Sequence, residues 1–225
     1  MNHEMIIHLV RKDWTFQRWT LAFYLALGAL GLAIIQLAAG ESAFFVGSIL
    51  LIAAVMGVGI HLIMATVVLE RKEKNLAFVM SLPVSVMGYT SAKILANLSA
   101  FLLPWLALLG SALWLIRSSQ GMPDGLEPFT VIVLGELAAA YVIMLAVAIV
   151  SESESWTVLA VVVLNLGFSL FLYWVSHLPE IGDHIEGPVA EWNRTAVGLL
   201  LAEAAVIVLV LVATFALQAR KKDFL

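Results

Sequence analysis

Six long apolar runs separated by short polar breaks organise this chain. They cover about residues 21–39, 44–69, 90–116, 129–150, 156–176 and 196–217. Each reaches or exceeds the roughly 17–25 residues that a helix needs to cross a hydrocarbon core. Membrane strands would instead show short segments of alternating polarity. The pattern therefore predicts an all-α integral membrane protein with six transmembrane helices. Its breaks fall at 40–41, 70–85, 117–128, 151–155 and 177–195.

Ahead of the first run the period changes. Met5, Ile6, Leu9, Val10 and Trp14 follow helical spacing, with His3, Glu4, His8, Arg11 and Lys12 on the other face. This predicts an interfacial helix within 1–19, with Trp14 and Trp19 at headgroup depth. The run that follows is long enough to span, so no cleavable leader is expected.

Composition narrows the class further. Of 225 residues, 62% are hydrophobic and only 12% charged, and the mean hydropathy is +1.01. A soluble domain carries about 25% charged residues, so a soluble enzyme and a nucleic-acid binder are both excluded. No cysteine is present, which removes disulfides, thiolate catalysis and cysteine-ligated metals. The net charge of −4 is small, and its distribution says more. Arg11, Lys12, Arg18, Arg71, Lys72, Lys74, Lys93, Arg220, Lys221 and Lys222 fall on one side, with only Arg117 and Arg194 opposite. The positive-inside bias predicts that both termini are cytoplasmic.

The densest charge lies in the second break. After Glu70-Arg71-Lys72-Glu73-Lys74, Asn75 is suited to cap a helix. Leu76, Val79, Met80 and Pro83 recur at i, i+3, i+4 and i+7 and give it one apolar face. Pro83 stops that helix, and Ser85 can cap the next. A solvated connector between two spans would show the same capping.

This segment resembles the cytoplasmic loop of ABC-2 type transporter permeases. Glu70, Arg71, Glu73, Asn75, Leu76, Ser81, Leu82, Pro83, Val84 and Ser85 carry the likeness, and Tyr89, Ala92 and Lys93 continue it. Lys74 stands where many members have glycine, and Val86 where many have a basic residue. The resemblance implies a single transmembrane domain over 1–225, with a coupling helix at 70–85 and an extracytoplasmic loop at 177–195. It further implies that Glu70, Arg71, Glu73, Asn75, Leu76, Val79, Met80, Leu82 and Pro83 meet a separate ATPase subunit. There is no G-x-x-x-x-G-K-[ST] phosphate loop, so the chain is expected to bind no cofactor, with ATP and Mg held by that partner. A second permease copy, identical or related, and a bacterial inner-membrane location follow from the same likeness. On this expectation the chain is an exporter subunit and not itself an enzyme.

Polar residues inside the runs are the remaining chemistry. Glu136 and Glu203 each stand about seven residues from an outer end, a depth of about 10 Å at 1.5 Å per residue. They fit the lining of an outward gate or a cation- or proton-sensitive pair. They equally fit carboxyls hydrogen-bonded to neighbouring helices. His61 lies deep in the second run and suits an interhelical hydrogen bond, with Asn97 and Asn165 in the third and fifth, and Gly28, Gly31, Gly57 and Gly59 suit close helix packing. His177, Glu180, Asp183 and His184 have metal-ligating side chains, although a solvated acidic loop has the same composition. The serines of Ser151-Glu152-Ser153-Glu154-Ser155 can cap the fifth span.

Two other classes remain to compare. An ion-coupled secondary transporter could use Glu136 and Glu203, but it leaves the charged hinge unexplained. An intramembrane protease would need a Gly-x-Ser-Gly serine with a histidine partner, or His-Glu-x-x-His, and neither is present.

Overall fold

An unbroken stretch of 35 residues without proline forms the first helix, α1 (His3–Leu37). Next come α2 (Glu41–Ile63), a π-helical turn (Met64–Val68) and α3 (Leu69–Lys72). Beyond the charged hinge lie α4 (Val86–Ser118), α5 (Leu126–Ser151) and α6 (Glu154–Ser176). The one-turn α7 (Pro179–Gly182) and the long α8 (Arg194–Ala219) complete the chain. The computed structural model describes residues 3–37, 40–72, 86–119 and 121–220, with no strand among them.

Among the described residues six helices are long and apolar enough to cross a membrane: Val10–Leu37, Glu41–Val68, Met87–Ser118, Leu126–Ser151, Glu154–Ser176 and Arg194–Ala219. The chain has the form of an all-helical multi-pass membrane protein. The second to sixth expected spans coincide with these helices to within a few residues at each end. The N-terminal region differs. Residues expected to form a separate interfacial helix are, from His3 onward, the opening turns of α1. The physical reason lies in α4, where Trp14 Nε1 donates to Ser99 Oγ at 2.9 Å and Asp13 pairs with Lys93. These bonds hold the polar stripe along a neighbouring helix.

The fourth span is the centre of the bundle. In its most apolar window 72% of residues are buried, against 11% in the fifth and sixth spans. α5 packs on α2, α4, α6 and α8, while α1 lies against α2 and α4. Val55, Val58 and Leu62 of α2, Phe101 of α4, and Leu134, Tyr141 and Leu145 of α5 share the core.

Lipid tails are as apolar as leucine, so helices in a bilayer associate through close packing. Gly31 and Gly47 bring the backbones of α1 and α2 together. A Cβ on Gly31 would lie 2.6 Å from the Gly47 carbonyl oxygen and 3.1 Å from the Leu51 nitrogen. Gly28 faces Leu108, Gly57 faces Tyr24 and Gly59 faces Tyr141. All four glycines singled out by sequence therefore lie at close side-chain or backbone approaches.

Local chemistry sets the ends of the spans. Ser153 accepts a hydrogen bond from the Trp156 nitrogen and caps α6, after Glu152 makes the turn from α5 in a left-handed conformation at φ 54°. Asn193 caps α8 by accepting from the Ala196 nitrogen at 2.8 Å. On the predicted outer side, Arg117 holds the buried Glu127 through two bonds of 2.6 and 2.8 Å. The loop before α8 folds back over this corner, and the Gly125 nitrogen donates to the Gly187 oxygen at 2.9 Å.

Candidate functional site

Charge converges at the end of α3, where the charged hinge begins. The π turn holds one residue more than an α turn, and each residue advances a helix by about 100°. That change of register falls immediately before Glu70. Glu70 Oε1 lies 2.9 Å from Lys12 Nζ of α1, and Oε2 pairs with Lys93 Nζ of α4. Lys93 Nζ also lies 2.9 Å from Asp13 Oδ2. One chain of four charges thus ties α1, α3 and α4 together.

This cluster is largely inside the protein. The Lys93 and Glu70 side chains are 5% and 8% exposed, and Asp13 is 13% exposed. Burial pushes the Glu70 carboxyl up, but the Lys93 charge and hydrogen bonds from Lys12 and Lys93 outweigh it. The group is held below its ordinary value of 4.5. Buried ions are tolerated where they are paired and hydrogen-bonded.

Of the residues expected to meet an ATPase, Glu70 is turned into the bundle. Arg71 belongs to α3, but its side chain lies outside the described part of the structure. Glu73, Asn75, Leu76, Val79, Met80, Leu82 and Pro83, with the coupling helix expected there, also lie outside the described residues. Periodicity and spacing do not mark Asp13 or Lys12 as partners of Glu70. The available signal was an acid inside a basic N-terminal stretch, next to a lysine at the start of the third run.

A second polar chain continues inward from Lys93. Asn97 Nδ2 donates to the Lys93 carbonyl at 3.0 Å, one turn further along α4. The Thr66 hydroxyl, inside the π turn, lies 2.8 Å from the Leu62 carbonyl and 3.0 Å from Asn97 Oδ1. The Tyr141 hydroxyl of α5 donates to the Asn97 carbonyl at 3.0 Å, and its ring stacks on Phe101 at 3.9 Å. Asn97 therefore links α4 to the π turn and to α5. His61 tilts against Tyr24, and Asn165 donates to the carbonyl of its own helix at Val161.

Glu203 of α8 lies against Gly135 of α5, whose chain neighbour is Glu136. Glu203 is 7% exposed, and its Oε1 has no hydrogen-bond partner among the described residues. Gly135 makes room for it: a Cβ there would lie 3.2 Å from the Glu203 carboxyl carbon. A bond from Trp105 Nε1 to the Leu134 carbonyl, 2.8 Å, holds α4 against α5 beside them. Sequence could place both carboxyls at one depth but gave no sign of the glycine notch.

Among the described residues the loop at 177–195 does not assemble its metal-ligating side chains. Among the described residues no three His, Asp or Glu side chains come together as a metal site. His184 instead faces Glu191, with Nε2 and Oε2 3.2 Å apart. A scan against protein-family models, a search of curated proteins and a search of solved structures find no match to this chain.

Proposed function

We propose that this chain is the membrane-spanning permease subunit of an ATP-driven exporter of the ABC-2 type. The observation that carries the reading is the Lys12–Glu70–Lys93–Asp13 cluster at the base of the charged hinge. A partner that displaces the segment after Lys72 pulls on Glu70, and through it on α1 and α4 together. In this scheme a separate ATPase holds ATP and Mg, and its hydrolysis cycle moves the hinge. Two permease copies, identical or related, enclose the pathway in a bacterial inner membrane, with their termini in the cytoplasm. Glu73, Asn75, Leu76, Val79, Met80, Leu82 and Pro83 form the docking side of the hinge, and Glu70 its inward anchor. Six apolar spans support this reading, and so does the missing phosphate loop.

The test has two arms. A tagged chain is expected to co-purify with an ATPase encoded beside it, and recovery of none would remove the assignment. Leu76→Asp is expected to lower ATP-driven transport about 5- to 150-fold, the range of a coupling energy of about 1–3 kcal/mol. Membrane insertion should be unchanged. Undiminished transport in that variant would place the docking surface elsewhere.

One observation favours a second reading, in which ions drive transport through Glu136 and Glu203. It is the Glu203 oxygen left without a partner inside the bundle, since intramembrane carboxyls often mark ion pathways. Proteoliposomes holding the chain alone, with an imposed ion gradient and no ATP, separate the two. The ion-coupled reading expects transport that Glu203→Gln abolishes. The ATP-driven reading expects none.

A further inference from the structure

The cytoplasmic end of α1 carries its charges in an unusual division. Asp13 faces Lys93 inside the bundle, and Glu70 is taken up by Lys12 and Lys93. Arg11 and Arg18 are exposed and make no ion pair among the described residues. Lys12 gives one contact to Glu70 and remains 56% exposed. Asp13 and Glu70 turn inward, so the described face around Arg11, Lys12 and Arg18 is left positive. Arg11, Lys12, Thr15 and Phe16 line a shallow hollow of about 510 Å³ on this face.

Directly along the helix the surface becomes aromatic. Lys12, Phe16, Trp19 and Phe23 stand at i, i+4, i+7 and i+11 and share one stripe. Phe16, Trp19 and Phe23 are all among the most exposed large apolar side chains. The Arg18 guanidinium lies 5.5 Å from the centre of the Trp19 ring. At 1.5 Å per residue the stripe is about 16 Å long, close to half of the roughly 30 Å hydrocarbon core. It has the length of one leaflet, with cations at one end and rings along the rest.

We infer that this face of α1 is a binding site for one anionic phospholipid. The phosphate sits in the hollow between Arg11 and Lys12, and the acyl chains lie over Phe16, Trp19 and Phe23. A free phosphate would satisfy the cations but leave the aromatic stripe unused. A zwitterionic lipid would bring an ammonium group to a face that already carries three positive charges. The site is independent of whether ATP or an ion gradient drives the protein.

Native mass spectrometry of the full-length chain tests this, with phosphatidylglycerol and phosphatidylcholine titrated in the same detergent. The wild type is expected to retain phosphatidylglycerol preferentially. The double variant Arg11→Gln/Arg18→Gln should weaken its binding about 30-fold, which is about 1 kcal/mol for each cation at an anionic surface. Arg194→Gln/Arg220→Gln, with the same loss of charge elsewhere, should leave it within about twofold of the wild type. Equal weakening in both pairs would reduce the effect to overall charge and overturn the site. Equal retention of the two lipids by the wild type would overturn it as well. Displacement of the lipid by millimolar inorganic phosphate would make it a phosphate site instead.

Discussion

Lys93→Met is expected to destabilise the protein by about 3 kcal/mol, read as the free energy of unfolding in detergent. Among the described residues Lys93 is the cation that touches both Asp13 and Glu70. Its removal leaves two carboxyls in a largely buried setting. Losing one partner of a buried ion pair costs about 3–5 kcal/mol, chiefly because the other charge stays desolvated. Lys12 still contacts Glu70 at 2.9 Å, which places the effect at the lower end. Changing three members at once, Asp13→Asn and Glu70→Gln with Lys93→Met, should return most of the loss. No recovery in that triple variant would mean that lysine packing, rather than charge, holds the three helices.

Acid gives an independent check on the same cluster. Glu70 is held below its ordinary value of 4.5 in the folded protein. A carboxyl lowered in this way contributes stability above its unfolded value, and loses it as pH falls through the folded one. Wild type should therefore weaken as pH drops below 4.5, while Lys93→Met, whose carboxyls gain from protonation, should not. The gap between the two proteins should narrow toward acid. A constant gap across that range would separate Lys93 from Glu70 energetically.

Gly31→Leu is expected to cost about as much by a different route. Overpacking ordinarily costs about 1–3 kcal/mol, because neighbouring side chains shift to absorb it. Here the first obstacle is the Gly47 carbonyl, 2.6 Å from where a Cβ would stand. Backbone cannot rotate away, so α1 and α2 must separate, and the upper end of that range applies. Gly110→Leu is the matched control, since nothing lies within 4 Å of its added Cβ. It should stay within about 0.5 kcal/mol of wild type. Equal thermal shifts for the two variants would show that the crossing is not set by glycine contact.

Much of this architecture was legible in the chain because a bilayer imposes simple rules. Continuous apolar runs locate spans well, as the agreement from α2 to α8 illustrates. Small residues locate helix crossings, and Gly28, Gly31, Gly57 and Gly59 all prove to lie at them. What pattern could not convey is which partner a polar residue finds across the bundle. Trp14 reads as an interface anchor until Ser99, 85 positions away, supplies its acceptor. Glu70 reads as the start of an outward charged surface until Lys12 and Lys93 draw it inward. Gly47 and Gly135 look ordinary in sequence, because their purpose lies in the helix opposite.

The π turn at Met64–Val68 makes the second span a counting device. Substitutions along α2 change what fills the core, but they leave the angular position of Glu70 alone. A change in length does not. Losing one residue between Gly47, fixed against Gly31, and Glu70, fixed to Lys12 and Lys93, forces a choice between those two attachments. Drift in composition is therefore open to this helix over generations, whereas drift by single-residue insertion or deletion is closed.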